Sequence, residues 1–185
     1  IWGVHDRTLL LRRALHDTLR ALPADASCAL WRRWRWEQTC ENYQYELVYS
    51  DEEWAREWRS LIGLASDKPR QAADNQSHKS TGSGSNNNNG SSSTTTYYES
   101  LEQFHVFLLA HILQRPIVVV ADRVLRDLNG APMSPIKFGG IYLPLECEPS
   151  ACNRYPLVLA YDSAHFSALV LLDNYNDQEF YTSAI

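Results

Sequence analysis

Residues 101–121 decide the fold, and they read LEQFHVFLLAHILQRPIVVVA. From Leu101 to Leu113 the chain is apolar almost throughout, which predicts a helix that is buried on most faces. The helix is expected to stop at Arg115-Pro116, because the residue before a proline avoids the α conformation. The β-branched run Ile117–Ala121 follows directly and predicts a strand. The core is therefore expected to contain a helix next to a sheet.

Further short β-type runs lie on the C-terminal side of this stretch. They are bounded by Gly, Pro, Asp and Ser, as strands usually are, and comprise Gly140–Leu143, Leu157–Tyr161 and Phe166–Leu172. Mainly helical patterns lie on the N-terminal side. This order predicts the α+β fold class, with helices packed on a small central β-sheet.

Three amphipathic helices are predicted before residue 70. Asp6 is expected to cap the first helix, and Pro23 ends it. The second starts after Ser27 and places Leu30, Trp31 and Trp34 at helical spacing. The third starts with the capping box Ser50-x-x-Glu53, and Ser100-x-x-Gln103 predicts another capping box before the 101–113 helix.

Residues 70–96 form a Ser/Thr/Gly/Asn-rich tract in which only Ala72 and Ala73 are apolar. Such a tract cannot bury enough apolar surface to offset the entropy of ordering, so a disordered insertion loop is expected. Long surface loops cost little additional stability, so the domain is expected to continue on both sides. We therefore expect residues 1–185 to form a single, partial domain that contains this insertion.

Composition excludes several classes of protein. No apolar run approaches the roughly 18 residues that a membrane-spanning helix needs. The formal net charge of −5 disfavours a nucleic-acid partner, because phosphate attracts basic surfaces. Four cysteines in 185 residues are too few for a disulfide scaffold.

The chain starts with Ile1 rather than Met, which suggests a piece of a longer protein.

His165 is the main candidate for acid–base chemistry. It follows the turn Asp162-Ser163-Ala164 and starts a predicted strand, where a rigid element would hold a base that substrate can reach. A hydrogen-bonded surface histidine is the alternative that residues alone leave open. His105 and His111 belong to the buried helix and are expected to be core histidines.

The cysteines do not indicate a metal site or a convincing nucleophile. Cys28 and Cys40 are twelve residues apart and Cys147 and Cys152 are five apart, unlike the close pairs of zinc sites. No metal or other cofactor is therefore expected. Cys28 is a weak candidate nucleophile before a helix, and the acidic loop around the C-terminal pair is expected to raise a thiol pKa.

Arginines alternate with tryptophans over residues 31–36. Such interleaving occurs in nucleic-acid-binding proteins. With an acidic chain, an amphipathic helix with a basic face and a buried Trp face is the preferred interpretation. A basic face of this kind could also bind a protein surface.

Several segments together resemble one known family. They are WGVHDR at 2–7, WRW at 34–36, LEQFHVFLLAH at 101–111, RPIVVVAD at 115–122, FGGIYLPL at 138–145 and PLVLAYDSAHFSALV at 156–170. Together they are similar to the OTU (ovarian tumour) deubiquitinases, specifically the Cezanne-like branch, with the TRABID branch more distant. The resemblance covers nearly the whole chain outside 70–96 and the last dozen residues.

The resemblance implies a papain-like cysteine peptidase fold that hydrolyses ubiquitin isopeptide bonds, with His165 as general base. It also implies ubiquitin and polyubiquitin chains as partners and a cytoplasmic, possibly also nuclear, location. The family's nucleophile lies in an Asp-Gly-Asn-Cys loop, which the sequence does not contain. That loop would precede Ile1, so the fragment alone is expected to be inactive.

The residue two after the histidine also departs from the family pattern. Many OTU enzymes have Asp or Asn there to orient the imidazole, whereas this chain has Ser167. The Cezanne-like branch is thought to use an acidic residue upstream of the cysteine instead. Two alternatives stay open: a catalytically dead ubiquitin-binding pseudoenzyme, and a helical protein-interaction module.

Overall fold

The structure is a computed structural model, and it describes residues 8–69, 98–162 and 165–170. The tract 70–96 lies outside these residues, as does Asp6, the predicted cap of the first helix. The chain divides into two compact units, a helical one within His5–Glu102 and a mixed one within Gln103–Ile185.

Three helices make up the described part of the helical unit: α1 Leu10–Ala21, α2 Ala29–Tyr43 and α3 Asp51–Leu64. Helix α1 ends just before Pro23, as predicted. It is preceded by Leu9, which has a left-handed conformation (φ 55°) and makes no side-chain capping hydrogen bond. The predicted capping box before α3 is confirmed, since the Ser50 and Glu53 side chains each bond the other's backbone amide.

Aromatic side chains fill the core of the helical unit. Trp34 of α2 meets Trp54 and Trp58 of α3 edge-to-face, with ring centroids 5.7 and 4.9 Å apart. Leu15 and Leu19 of α1 are fully buried, and α1 packs on α3. Trp31 and Trp34, which the sequence placed at helical spacing, therefore form the buried face of α2, and Trp54 and Trp58 are buried on α3.

The mixed unit is built on a four-stranded sheet with strand order β4-β1-β5-β6. Its elements are α4 Gln103–Ile112, β1 Ile117–Ala121, β2 Val124–Arg126, β3 Pro132–Pro135, β4 Gly140–Tyr142, a 3-10 helix at Pro149–Ala151, β5 Leu157–Asp162 and β6 His165–Ala168. Strands β1 and β5 are parallel, whereas β4 and β6 pair antiparallel to their neighbours. The predicted α+β class is confirmed.

Two features of the mixed unit differ from the sequence prediction. Helix α4 begins at Gln103. The predicted capping box required Gln103 to be the third residue of the helix, so it does not match the observed helix start. The hairpin β2–β3 was not predicted, because prolines bound β3 and its residues are all exposed. Its hairpin signal was Asn129-Gly130, where Gly130 has a φ of 81°.

Helix α4 is buried as its composition predicted, and its buried residues include His105 and His111. It packs against β1 and β4, covering the sheet face that contains Ile117, Val119 and Tyr142. Among the described helices, none is both long and apolar enough to cross a bilayer.

Candidate functional site

His165 is the first residue of β6 and lies at one edge of the sheet. It pairs with Asp162, the last residue of β5, across an antiparallel ladder. The two residues of the connecting turn, Ser163 and Ala164, lie outside the described residues. The His165 side chain is exposed, so a rigid strand presents the imidazole to solvent at the place that the sequence predicted.

The sheet has one covered face and one open face, and His165 belongs to the open one. Tyr161 shares the α4-facing side with Ile117 and Leu157, because strand residues alternate between faces. Asp162 and its partner His165 therefore point the opposite way. On that side Val120 and Ile141 keep 55% and 70% of their surface exposed. The imidazole thus lies on a sheet face with exposed apolar side chains.

Ser167 lies on the same face of β6 as His165. It pairs with Ala160, two residues along the ladder from the His165 pair. Residues two apart on a strand point to the same side of the sheet. A hydroxyl at this position can accept or donate a hydrogen bond but adds no charge beside the imidazole.

Three aromatic rings brace the edge that holds His165. Tyr161 and Phe166, cross-strand partners, have ring centroids 4.7 Å apart, and Phe138 lies 4.6 and 5.2 Å from them. The Tyr142 hydroxyl donates a 2.6 Å hydrogen bond to the carbonyl of Phe138, which fixes the loop before β4. Residues 138–142 therefore position the histidine strand, a role that sequence analysis did not assign.

Cys147 and Cys152 lie near the end of the sheet where β1 and β5 begin, whereas His165 lies at the end where β5 finishes. The Cys147 thiol donates to the carbonyl of His111 at the end of α4, and the Asn153 amide donates to Gln114 just before β1. Strand β5 separates the cysteine end from His165 by five residue steps of about 3.3 Å, or roughly 16 Å. Neither thiol of this pair can form a nucleophile–base hydrogen bond with His165.

The environment of Cys147 also makes its thiol a poor nucleophile. Burial raises the pKa of Cys147, and the neighbouring Cys152 and Glu146 add smaller contributions in the same direction. This agrees with the raised thiol pKa predicted for the loop, although burial, rather than the acidic neighbours, is the largest cause. Cys28 and Cys40 belong to the other unit, at the N-cap and within helix α2.

His105 and His111 are core residues, as predicted. His105 is fully buried in α4. The amide of Glu146 donates to Nε2 of His111, which leaves Nδ1–H to donate to the Phe107 carbonyl at 2.9 Å. His111 thereby ties the loop after β4 to α4. Within the described ranges, no group of three His, Cys, Asp or Glu side chains could hold a metal ion.

The Arg/Trp run of α2 forms a packed face rather than a free basic surface. Arg32 donates to the carbonyl of Ala26 at 2.7 Å, and Arg33 pairs with Glu37 at 3.0 Å. Arg35 lies over the rings of Trp31 and Trp54, 5.1 and 5.0 Å from their centroids. The buried Trp face is confirmed for Trp31 and Trp34, whereas Trp36 is 67% exposed and does not belong to it.

The sheet with its edge histidine, joined to a buried helix, has the α+β architecture of a papain-like cysteine peptidase. The chain matches the family described as OTU-like cysteine protease over residues 1–166. The chain therefore belongs to the OTU-like cysteine protease family. This confirms the family that the sequence motifs resembled.

Two relatives show how far the similarity extends. The chain is 38% identical over 178 residues to tumor necrosis factor alpha-induced protein 3 of Homo sapiens and 37% identical over 177 residues to the Mus musculus protein. Each match covers 93% of this chain. The chain spans about a fifth of the length of these curated relatives, 19% and 20% respectively.

Proposed function

We propose that this chain contributes the general base of a cysteine-type deubiquitinase, with His165 in that role. The observation that supports the proposal is the position of His165, exposed at the edge of a rigid sheet in a member of the OTU-like cysteine protease family. A general base must be held firmly and yet be reachable by substrate.

The nucleophile in this proposal is a cysteine of an Asp-Gly-Asn-Cys loop N-terminal to Ile1. His165 takes the thiol proton as the sulfur attacks the isopeptide carbonyl, and returns it to the leaving lysine amine. Water then resolves the thioester and regenerates the thiol. Cys147 and Cys152 lie at the end of the sheet remote from His165, and this position supports a nucleophilic thiol supplied by another segment.

The finer assignment within the family also belongs to this proposal. We infer a Cezanne-like enzyme that acts on ubiquitin and polyubiquitin chains, with a preference for linkage through the eleventh lysine, located in the cytoplasm and possibly also the nucleus. The sequence motifs at 101–111 and 156–170 support the branch. No cofactor takes part in the proposed reaction.

The test uses the protein extended upstream through the expected cysteine loop. This protein should cleave ubiquitin chains, and His165→Ala should reduce turnover by at least about a thousandfold, since the nucleophile loses its base. His16→Ala, in helix α1, is the matched control and should leave turnover unchanged. Turnover by the 185-residue chain alone would contradict the assignment of the nucleophile to an upstream loop.

Two measurements separate this proposal from its alternatives. An electrophilic ubiquitin probe should label the extended protein, whereas a pseudoenzyme would bind ubiquitin without being labelled. A helical interaction module would neither react with the probe nor bind ubiquitin. The engagement of Arg32 and Arg33 within their own helical unit favours the enzyme over that module.

A further inference from the structure

The helical unit contains a cavity with an unusual lining. It has a volume of about 320 Å³ and lies between the loop before α2 and the first turns of α3. Its lining residues are three tryptophans, three alanines, one arginine and two aspartates: Trp31, Trp54, Trp58, Ala24, Ala26, Ala55, Arg35, Asp25 and Asp51. This volume is at the lower end for ligand sites, so the cavity suits one large apolar side chain.

The Arg35 guanidinium lies close to two indole rings. Its guanidinium carbon lies 5.1 Å from the Trp31 ring centroid and 5.0 Å from that of Trp54. A guanidinium that meets aromatic rings through its faces keeps its in-plane N–H donors available to a carboxylate. Across residues 8–69, 98–162 and 165–170, no acceptor lies within hydrogen-bond distance of these donors.

Acidic side chains around the cavity do not satisfy Arg35. Asp51 approaches it at 3.7 Å, too far for a hydrogen bond, and the Asp51 side chain is 98% exposed, so the ion pair is weak. Asp25 accepts hydrogen bonds from the amide and hydroxyl of Ser27, 2.7 and 2.5 Å away. These bonds lower the pKa of Asp25 and tie its Oδ1 atom to its own loop.

We propose that this cavity is a docking site for a peptide segment of a partner protein in which a large apolar residue adjoins an aspartate or glutamate. The apolar side chain occupies the space between the indoles and the alanine methyls. The carboxylate pairs with the open donors of Arg35, a planar fork that matches carboxylate geometry. The segment is thus recognised by one apolar and one acidic feature, independently of any role for His165.

The test is a titration of the 185-residue chain with capped dipeptides, followed through the indole N–H resonances in proton–nitrogen NMR spectra. Acetyl-Phe-Glu-amide supplies both features, acetyl-Phe-Gln-amide lacks the charge, and acetyl-Ala-Glu-amide lacks the apolar anchor. The first should shift the resonances of Trp31, Trp54 and Trp58 but not that of Trp36, which is 67% exposed and does not line the cavity. Each altered peptide should bind about tenfold more weakly.

Variants at two arginines of the same helix assign the charge effect. In Arg35→Gln, the Glu and Gln peptides should bind equally, because the group that distinguishes them is gone. Arg33→Gln, whose native partner is Glu37, should keep the tenfold preference. If Arg35→Gln loses the dispersed indole resonances of a folded protein, Arg35→Lys replaces it, and there the preference should shrink because the planar fork is lost.

Three results would overturn the proposal. The first is the absence of any shift at the cavity indoles at millimolar Phe-Glu peptide. The second is equal binding of the Glu and Gln peptides to the unmodified chain, which would leave only an apolar pocket. The third is an equal loss of the preference in Arg33→Gln and Arg35→Gln, which would indicate a general effect of helix charge.

Discussion

At the scale of single residues, Arg12 makes the most hydrogen bonds over long sequence separations in the helical unit. Its guanidinium donates to the carbonyls of Ser66, Leu64 and Glu99 at 2.7, 2.6 and 2.6 Å. Tyr98 lies beneath it, with the ring centroid 5.4 Å away. Partial burial lowers the pKa of Arg12, although nearby acidic groups oppose the shift. One side chain thus joins α1, the end of α3 and the segment before α4.

Arg12→Met is therefore expected to destabilise the protein by about 2–3 kcal/mol, because it leaves part-buried carbonyls without donors. Its neighbour Arg13 is the control, since Arg13 is more exposed and its side chain pairs with the exposed Asp67 at 2.7 Å. Arg13→Met should cost less than about 1 kcal/mol. Urea unfolding measures both, and equal losses would show that the three carbonyl bonds contribute little.

Sequence reasoning could not identify Arg12, although it found His165. The partners of Arg12 lie 52 to 87 residues away, and no local pattern reports such contacts. His165 was found because a turn, a strand and a family motif coincide within a few residues. The support of His165 by Phe138 was missed for the same reason as Arg12, because the ring arrives from a distant loop.

At the scale of elements, the capping box of α3 was predicted correctly because all its partners lie within four residues. Ser50→Ala should destabilise the protein by about 1 kcal/mol, since the Glu53 amide loses its acceptor. Ser60→Ala, at an exposed position within the same helix, is the control and should leave stability unchanged or slightly higher. A loss of stability in Ser60→Ala equal to that in Ser50→Ala would contradict the role of the cap.

The same box predicts a pH dependence. Hydrogen bonds from the backbone and side chain of Ser50 lower the pKa of Glu53. A carboxyl whose pKa is lower in the folded protein adds stability above its ordinary pKa and loses it as the pH falls through the folded-state value. The stability difference between the unmodified chain and Glu53→Gln should therefore be constant near neutral pH and shrink in acid. A difference that grows on acidification would contradict this assignment.

Gly63 and Gly130 differ in backbone conformation, so substitution by alanine should have opposite effects at the two positions. Gly63 lies within α3, and an added Cβ would meet nothing within 4 Å, so Gly63→Ala should stabilise the protein by about 0.5–1 kcal/mol. Gly130 turns the β2–β3 hairpin at a φ of 81°, so Gly130→Ala should strain it. Thermal unfolding should move upward for the first variant, and amide exchange in β2 and β3 should accelerate for the second. The opposite sign in either would contradict these backbone assignments.

At the scale of the whole molecule, the sequence order of helices followed by a helix and strands was sufficient to predict the α+β class. The order of elements was not sufficient to place the cysteines relative to His165, because that placement depends on which strands pair and in which direction. The parallel pairing of β1 with β5 puts the loop of Cys147 and Cys152 at the end where these strands begin and His165 at the end where they finish. Sheet topology, which no local pattern records, therefore decides which thiols can react with the imidazole.

The position of Cys147 and Cys152, together with the proposed upstream nucleophile, predicts that the four cysteines of the chain are dispensable for catalysis. In the upstream-extended protein, replacing Cys28, Cys40, Cys147 and Cys152 together by Ala should preserve labelling by the electrophilic ubiquitin probe. The separate replacement of the upstream cysteine should abolish it, because that thiol alone is proposed to lie beside His165. Circular dichroism confirms that each variant is folded. Loss of labelling in a folded Cys147→Ala or Cys152→Ala variant would mean that the cysteine loop, at the end of the sheet remote from His165, takes part in the reaction.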